Sequence, residues 1–363
     1  MSKISFYVTG HGHGHARRSA ELIKALIDLR PDLQIFVRTN APSEIFDKIP
    51  RTLTLRPPPG FDPGAIEDDI LTINPEETVR AMKDSIRGAE HFVQREAASA
   101  RGQKISLIIT DISFLAAEVA AAAGLPGVGF SNFCWDWIIE PFVKEDPEGP
   151  ELLHRIHRCY SKLNLFLKLP FSHPIELPAK IVNTPLIAQR STRSKTDVLE
   201  ACGIAADDSR PRVVVGLRSG VAAAALRRAA SELSEVLFFS PGADEKDSPE
   251  NIQSLSNVPH VSFADLLSVS DAVVAKLGFG ILADCIVART RLLYPPRLNF
   301  REDEITEQTA GPLLPLRAIS REDFVEGRWS HALRELLSMK VPEKAPPSDG
   351  ANFCAKRILE MME

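Results

Sequence analysis

Three histidines alternate with glycines in GHGHGH, residues 10–15, and ARRS follows at once. Imidazoles at a spacing of two share one face of an ideal strand, a geometry that suits a metal. The run supplies no carboxylate or thiol as a further ligand, and its glycines interrupt a regular strand. Imidazole also exchanges a proton near neutral pH, its ordinary pKa being about 6.5. A third reading is plainer: the glycines let the chain turn tightly and the histidines are polar loop residues. Arg17 and Arg18 fall in the first turn of the helix that follows, where the dipole disfavours cations by about 0.3–1 kcal/mol each. A nearby anion would account for them, as would simple exposure to solvent. Two phosphate signatures fail. A P-loop requires a lysine and a hydroxyl at set positions, and GHGHGHARRS has neither in place. A dinucleotide fingerprint requires G-x-G-x-x-G and an acid closing the second strand. Here the glycines alternate and the second strand ends in Arg38-Thr39-Asn40, which argues against NAD and leaves NADP open through Arg38.

The elements that must hold this loop can be read from periodicity. KISFYVTG is a short apolar run, and Leu22, Ile23, Leu26 and Leu29 then recur at helical spacing until Pro31. The strand-then-helix unit repeats. QIFVR (34–38) precedes a short helix from Ser43, RTLTL (51–55) is a further strand, and RPPPGFDPG is a loop. Asn74-Pro75-Glu76-Glu77 is a helix start, with an N-cap, proline at the first helical position and acids in the first turn, and predicts a long helix to about Arg101. ISLIIT (105–110), the helix over FLAAEVAAAAG, and PGVGF continue the alternation. Between about Pro170 and Arg212 the chain becomes proline-rich and aperiodic, which reads as a domain connection. The rhythm restarts with RVVVGL (212–217), EVLFFS (235–240), HVSF (260–263), AVVAKLG (272–278) and RLLYPP (291–296), and ANFCAKRILEMME reads as a final amphipathic helix. Apolar strands alternating with helices predict parallel sheets covered on both faces.

Composition bounds the function. The chain has 363 residues, 44% hydrophobic and 25% charged, enough for two domains with cores of their own. A net charge of -5 does not advertise nucleic-acid binding. The start MSKISFYV lacks the pattern of a secretory signal and no apolar run has membrane-spanning length, so a cytoplasmic chain without a transmembrane segment is expected, peripheral membrane contact staying open. Five widely spaced cysteines support neither a disulfide framework nor a zinc ribbon.

The GH loop after the first strand, LIITDISFLAAEVAAAAGLPGVGF, VVVGLRSG and AVVAKLGFGILADCIVARTRLLYPPR together resemble the GT-B superfamily of nucleotide-sugar glycosyltransferases, in order and spacing over nearly the whole chain. The nearest likeness is to the arabinokinase-associated glycosyltransferase-like module and the peptidoglycan GlcNAc-transferase group; plant natural-product glucosyltransferases are more distant. The resemblance implies an α/β chain with two Rossmann-like parallel-sheet domains facing a cleft. These are an acceptor-side domain over 1–188, a nucleotide-sugar domain over 189–345, and a helix over 346–363 returning to the first domain. It implies sugar transfer from a nucleoside-diphosphate sugar to a hydroxyl acceptor, inverting and with no obligatory metal or other cofactor. A nucleotide-sugar epimerase or hydrolase, or a non-catalytic nucleotide-sugar-binding protein, would use the same fold.

Carried over position by position, the general base falls on His15, with His13 as the alternative register and Gly14 between them in the loop. The aspartate that orients such a base falls on Asp111, which by itself would equally be a helix N-cap. Arg218, Ser219 and Gly220 match the first diphosphate-facing turn. Lys276, Gly278, Phe279, Gly280 and Ile281 match the glycine turn and helix start whose amides meet phosphate. Asp284 stands where the family has an acid for ribose hydroxyls, one carbon shorter than the usual glutamate. Glu302 and Asp303, in NFREDEITEQ, match the region that reads the donor sugar, where a solvated charged face is the plain alternative. The chain lacks the plant family's His-Cys-Gly-Trp box and closing Asp-Gln pair. Phe133, Trp135, Trp137 and Phe142, bunched in SNFCWDWIIEPFV, suit either an acceptor pocket or core packing.

Overall fold

The computed structural model describes all residues except 1, 11–12, 58–59, 206, 218–219, 241–247, 256–257 and 259. The chain divides into two compact units, Met1–Ile187 with Asn299–Ile305 and Pro347–Glu363, and Ala188–Leu298 with Thr306–Pro346.

The first unit runs β1 (Lys3–Val8), α1 (Gly14–Leu29), β2 (Gln34–Thr39), β3 (Thr52–Leu55), a small antiparallel pair β4 (Glu67–Asp69) and β5 (Thr72–Ile73), α2 (Pro75–Arg87), α3 (Ala89–Gly102), β6 (Leu107–Asp111), α4 (Phe114–Ala123), β7 (Gly127–Ser131), α5 (Trp135–Ile139), α6 (Gly149–Tyr160), β8 (Leu165–Lys168) and β9 (Lys180–Asn183). Its main sheet has the order β3-β2-β1-β6-β7-β8-β9, and every neighbouring pair is parallel. Strands covered on both faces must be apolar throughout, and β1, β6 and β7 are buried almost end to end. Succession reverses direction between β1 and β6, which opens a crevice at their carboxyl ends. Asn74 caps α2 by accepting the Glu77 amide. The single helix expected to Arg101 is instead two, because Gly88 both closes α2 and opens α3. β9 lies inside the stretch read as a connection: its prolines mask a short edge strand hydrogen-bonded to β8.

The second unit runs α7 (Lys195–Ala201), β10 (Arg212–Val215), α8 (Gly220–Glu232), β11 (Leu237–Ser240), β12 (Ile252–Ser254), α9 (Phe263–Val269), β13 (Ala272–Val274), α10 (Phe279–Ala288), β14 (Arg291–Tyr294), α11 (Glu302–Ala310, beginning in the first unit), β15 (Leu316–Ala318), α12 (Arg321–Glu326) and α13 (Ser330–Ser338). Its all-parallel sheet has the order β12-β11-β10-β13-β14-β15, with the reversal between β10 and β13. HVSF is not a strand. Ser262 and Asp265 form a reciprocal capping box that starts α9 at Phe263, and Ile252–Ser254 takes the sheet edge instead.

The last helix, α14 (Gly350–Glu360), packs on α1 in the first unit. Among the described residues, no helix is long and apolar enough to cross a membrane.

Candidate active site

The loop after β1 delivers α1 to the β1/β6 crevice, and β6 ends there on Asp111. His13 is the exposed residue preceding α1 and its side chain makes no cap bond. Gly14 is exposed, with open space where a Cβ would lie. His15, one residue into the helix, turns inward with only 7% of its surface accessible, and its Nδ1 lies 2.7 Å from Oδ1 of Asp111. The two registers of the loop are therefore unequal: His15 meets the strand-end carboxylate and His13 does not. His11 lies outside the described residues. Among the described residues, no group of three or more His, Cys, Asp or Glu is placed to hold a metal.

Asp111 has more partners than a histidine. Arg18 grips it with Nε on Oδ2 at 2.7 Å and Nη2 on Oδ1, and the Ser19 hydroxyl donates to Oδ2 at 2.9 Å. His15, Arg18 and Ser19 stand at i, i+3 and i+4, so one face of α1 presents all three to the same carboxylate. Arg18 is buried beside its anion, which belongs to the chain itself; Arg17, on the other face, is exposed. Burial alone would raise the Asp111 carboxyl, but the charges and hydrogen bonds of Arg18 and His15 outweigh it and hold the group at about 2. An ionised carboxylate only accepts. The two Nη2 hydrogens of Arg18 are engaged by Asp111 Oδ1 and by Ser131 Oγ at 3.0 Å, although Nη2 also lies 2.8 Å from His15 Nδ1. The hydrogen between His15 and Asp111 is thus assigned to Nδ1, leaving the lone pair on Nε2.

The network continues. Arg18 Nη1 donates to Asn132 Oδ1 at 2.7 Å, and Asn132 Nδ2 donates to Glu302 Oε1 at 2.9 Å. Glu302 and Asp303 are buried, not a solvated face, and the segment carrying them, Asn299–Ile305, groups with the first unit, not with the nucleotide-sugar domain expected to span 189–345. Arg38 is also buried, paired with Glu96 at 3.2 Å, which occupies the cation that had left NADP open.

Sequence reasoning missed a second buried carboxylate, Asp62, carried by the proline-rich loop after β3. It accepts from the Gly64 amide at 2.9 Å and from Trp135 Nε1 at 3.1 Å, and burial raises it to about 6 despite these bonds. Asn132 was missed as well; no periodicity marks a loop residue that follows a strand. Arg18 and Ser19 carried a usable signal in their spacing from His15.

Of the aromatic cluster, Phe133 and Trp135 are core residues. The Phe133 ring meets the His15 ring edge-on at 5.5 Å. Trp137 instead lines a cavity of about 400 Å³ behind the loops after β7 and β8, with Cys134, Asp136, His157, His173 and Glu176. Phe142 is half-buried and packs against the core of the unit. Trp137 stacks flat on His173 at 4.5 Å and carries the Arg301 guanidinium over its ring at 4.4 Å. Burial holds His173 down at about 4, so it is neutral at neutral pH and its Nε2 accepts the Cys134 amide.

In the second unit the two glycine-bearing segments matched in sequence follow β10 and β13, the strands that flank its reversal. Arg218 and Ser219 lie outside the described residues, and Gly220 opens α8. Gly278 precedes α10, with Phe279 buried and Lys276, Gly280 and Ile281 half-buried around the helix start. Asp284 is buried and accepts the Gln189 amide at 2.7 Å, so one carboxylate oxygen expected on ribose is committed to the chain's own backbone.

Solved structures share this fold at low identity. The glycotransferase of kitacinnamycin superposes with a TM-score of 0.68 and 14% identity, covering 100% of this chain and 99% of that one. The fold is GT-B. A Phytolacca americana UGT2, solved with UDP-2fluoro-glucose and pterostilbene, gives a TM-score of 0.62 at 12% identity, covering 99% of this chain and 94% of that one. In sequence, L-arabinokinase of Arabidopsis thaliana is 22% identical over 347 residues, 93% of this GT-B chain, which spans 32% of that relative's length. No family model matches the chain.

Proposed function

We propose that this GT-B chain is a glycosyltransferase that moves a sugar from a nucleoside diphosphate to a hydroxyl acceptor, with His15 as general base. The observation that carries the reading is the buried His15–Asp111 pair at the reversal of the first sheet, with the Nε2 lone pair left over. A hydroxyl is a poor nucleophile until its proton is taken, and a positioned imidazole typically contributes about 10²–10⁴-fold in rate. In the proposed step His15 Nε2 takes the acceptor proton as the acceptor oxygen bonds to the anomeric carbon. The bond from that carbon to the diphosphate oxygen breaks, and the diphosphate departs with the electron pair. One displacement inverts the anomeric centre. Asp111 fixes the tautomer and balances the imidazolium that forms.

The diphosphate falls to the second domain. Gly220 opens α8 and Gly278 precedes α10, and the first amides and dipole of a helix favour anionic oxygens without requiring a metal. The cavity walled by Trp137 and His173 suits the acceptor, since Cys134 in its lining adjoins Phe133, which touches the base. The solved relative bound to UDP-2fluoro-glucose supports a nucleotide-sugar donor.

A thermal-shift screen against nucleoside diphosphates and their sugars tests the donor assignment. Ligand at a hundred times its Kd stabilises the native state by about 2.7 kcal/mol, so one nucleotide class should raise Tm clearly above the rest. A flat response across UDP, dTDP, GDP and ADP sugars contradicts the reading.

A further inference from the structure

Four consecutive residues after β14 are each anchored in the first unit. Asn299 Nδ2 donates to the Ile73 carbonyl at 3.1 Å. Phe300 is buried, its ring edge-on to Phe133 at 6.1 Å. Arg301 Nη1 donates to the Trp137 carbonyl at 2.7 Å and pairs with Glu140. Glu302 accepts from Asn132. Two lines of contact run from this segment to one imidazole. The polar line is Glu302, Asn132, Arg18, then Asp111 and His15 together; the apolar line is Phe300, Phe133, His15.

We infer that Glu302 and Phe300 are positioning residues for the base His15, through Asn132–Arg18 and through Phe133 respectively. The inference rests on His15 being the base and deepens that reading. It also differs from what the resemblance implies for Glu302, a direct contact with the donor sugar.

The polar line has chemical direction. The Asn132 amide can lie only one way round: Arg18 has donors alone, so it meets Oδ1, and Nδ2 is left for a carboxylate. Arg18 and Glu302 hold the amide from its two ends, the amide holds Nη1, and Arg18 is kept in the orientation that gives Nε and Nη2 to Asp111. Without Glu302, Asn132 keeps only the Arg18 end of that hold and is freer to move with the guanidinium. The guanidinium can then swing toward His15 Nδ1, already 2.8 Å away, and compete with Asp111 for it. Such a switch would move the proton to Nε2 and remove the lone pair the acceptor needs. The apolar line works by volume: Phe300 backs the Phe133 ring, whose edge limits rotation of the imidazole.

The test is the tautomer of His15, read from long-range ¹H–¹⁵N correlations of its ring and assigned with the His15→Gln variant. Glu302→Ala should shift the ring nitrogens toward the Nε2–H form and lower turnover on the order of ten- to a hundredfold, with donor Kd within about twofold. Glu302→Gln, whose amide oxygen still accepts from Asn132, should restore the wild-type ring signals and most of the rate. If Glu302→Ala fails to fold, Asn132→Ser breaks the same line from its other end and should give the same shift. Unchanged His15 signals in a folded Glu302→Ala or Asn132→Ser protein overturn the inference, as does a loss confined to donor affinity. The ring signals do not depend on turnover, so a protein that transfers no sugar would sink the functional reading while leaving this inference to stand or fall on the spectrum.

Discussion

Asp111 collects hydrogen bonds from His15, Arg18 and Ser19, and removing these partners should have unequal consequences. Asp111→Asn leaves the Arg18 guanidinium buried without its counter-charge, which typically costs about 3–5 kcal/mol. His15→Ala removes a ring and leaves the Arg18–Asp111 ion pair intact. Urea unfolding should therefore place Asp111→Asn well below His15→Ala in stability; equal losses would show that the ion pair is not what Asp111 chiefly serves. At this scale the sequence disclosed the histidine and the strand-end acid, since both adjoin recognisable strands. It also held Arg18 and Ser19, three and four residues past His15, but a helix face becomes meaningful only once the opposing strand end is known. Asn132 and Asp62 arrive from loops, where no period exists to read. Asp284, matched in sequence to an acid for ribose hydroxyls, accepts the Gln189 amide on one carboxylate oxygen.

Gly350 shows how narrowly one element is seated. A Cβ there would lie 2.4 Å from the Pro185 carbonyl oxygen and 2.7 Å from that of Leu186, and backbone atoms cannot give way as a side-chain tip can. The Gly350 amide donates to that same Leu186 carbonyl at 3.0 Å, pinning the start of α14 to the chain just after β9. Gly350→Ala should destabilise the protein on the order of 1–3 kcal/mol and loosen α14 from α1. Urea unfolding and limited proteolysis check this; a variant as stable and as resistant as wild type contradicts the seat described. Strands β1, β6, β10, β13 and β14 were legible because burial on both faces demands unbroken apolar runs. The break at Gly88 and the helix start within HVSF were not. A single glycine can be tolerated in a helix, and the Ser262–Asp265 capping box overrides a β-prone pair.

For the whole molecule, two buried carboxylates give stability opposite dependences on pH. Asp62 holds its proton more tightly when folded, up to about 6 against an ordinary 3.8, so its contribution is present below about pH 4 and is lost as pH rises through 6. Asp111, held near 2, contributes fully above about pH 4 and loses that contribution as pH falls toward 2. Relative to wild type, Asp62→Asn should gain on the order of 1–3 kcal/mol between pH 4 and pH 8. Denaturant unfolding at the two values measures it, and a pH-independent difference would mean that Asp62 keeps its charge throughout. Two parallel sheets were legible in the sequence as two runs of strand and helix; the reversal of strand succession at the centre of each was not, because pairing order is not written in local periodicity. Nor was the assignment of Asn299–Ile305 to the first unit, because it rests on contacts from Ile73 to Glu140 that no local pattern encodes.

The role proposed for His15 is to move a proton and not to hold a donor. The most direct measurement sets wild type beside His15→Ala with the nucleotide sugar that wins the thermal screen, recording donor affinity by calorimetry and the rate of nucleoside-diphosphate release. The expected result is a donor Kd within about twofold of wild type and a rate lower by about 10²–10⁴. A variant that releases nucleoside diphosphate as fast as wild type, or one that loses donor binding and rate together, contradicts that role.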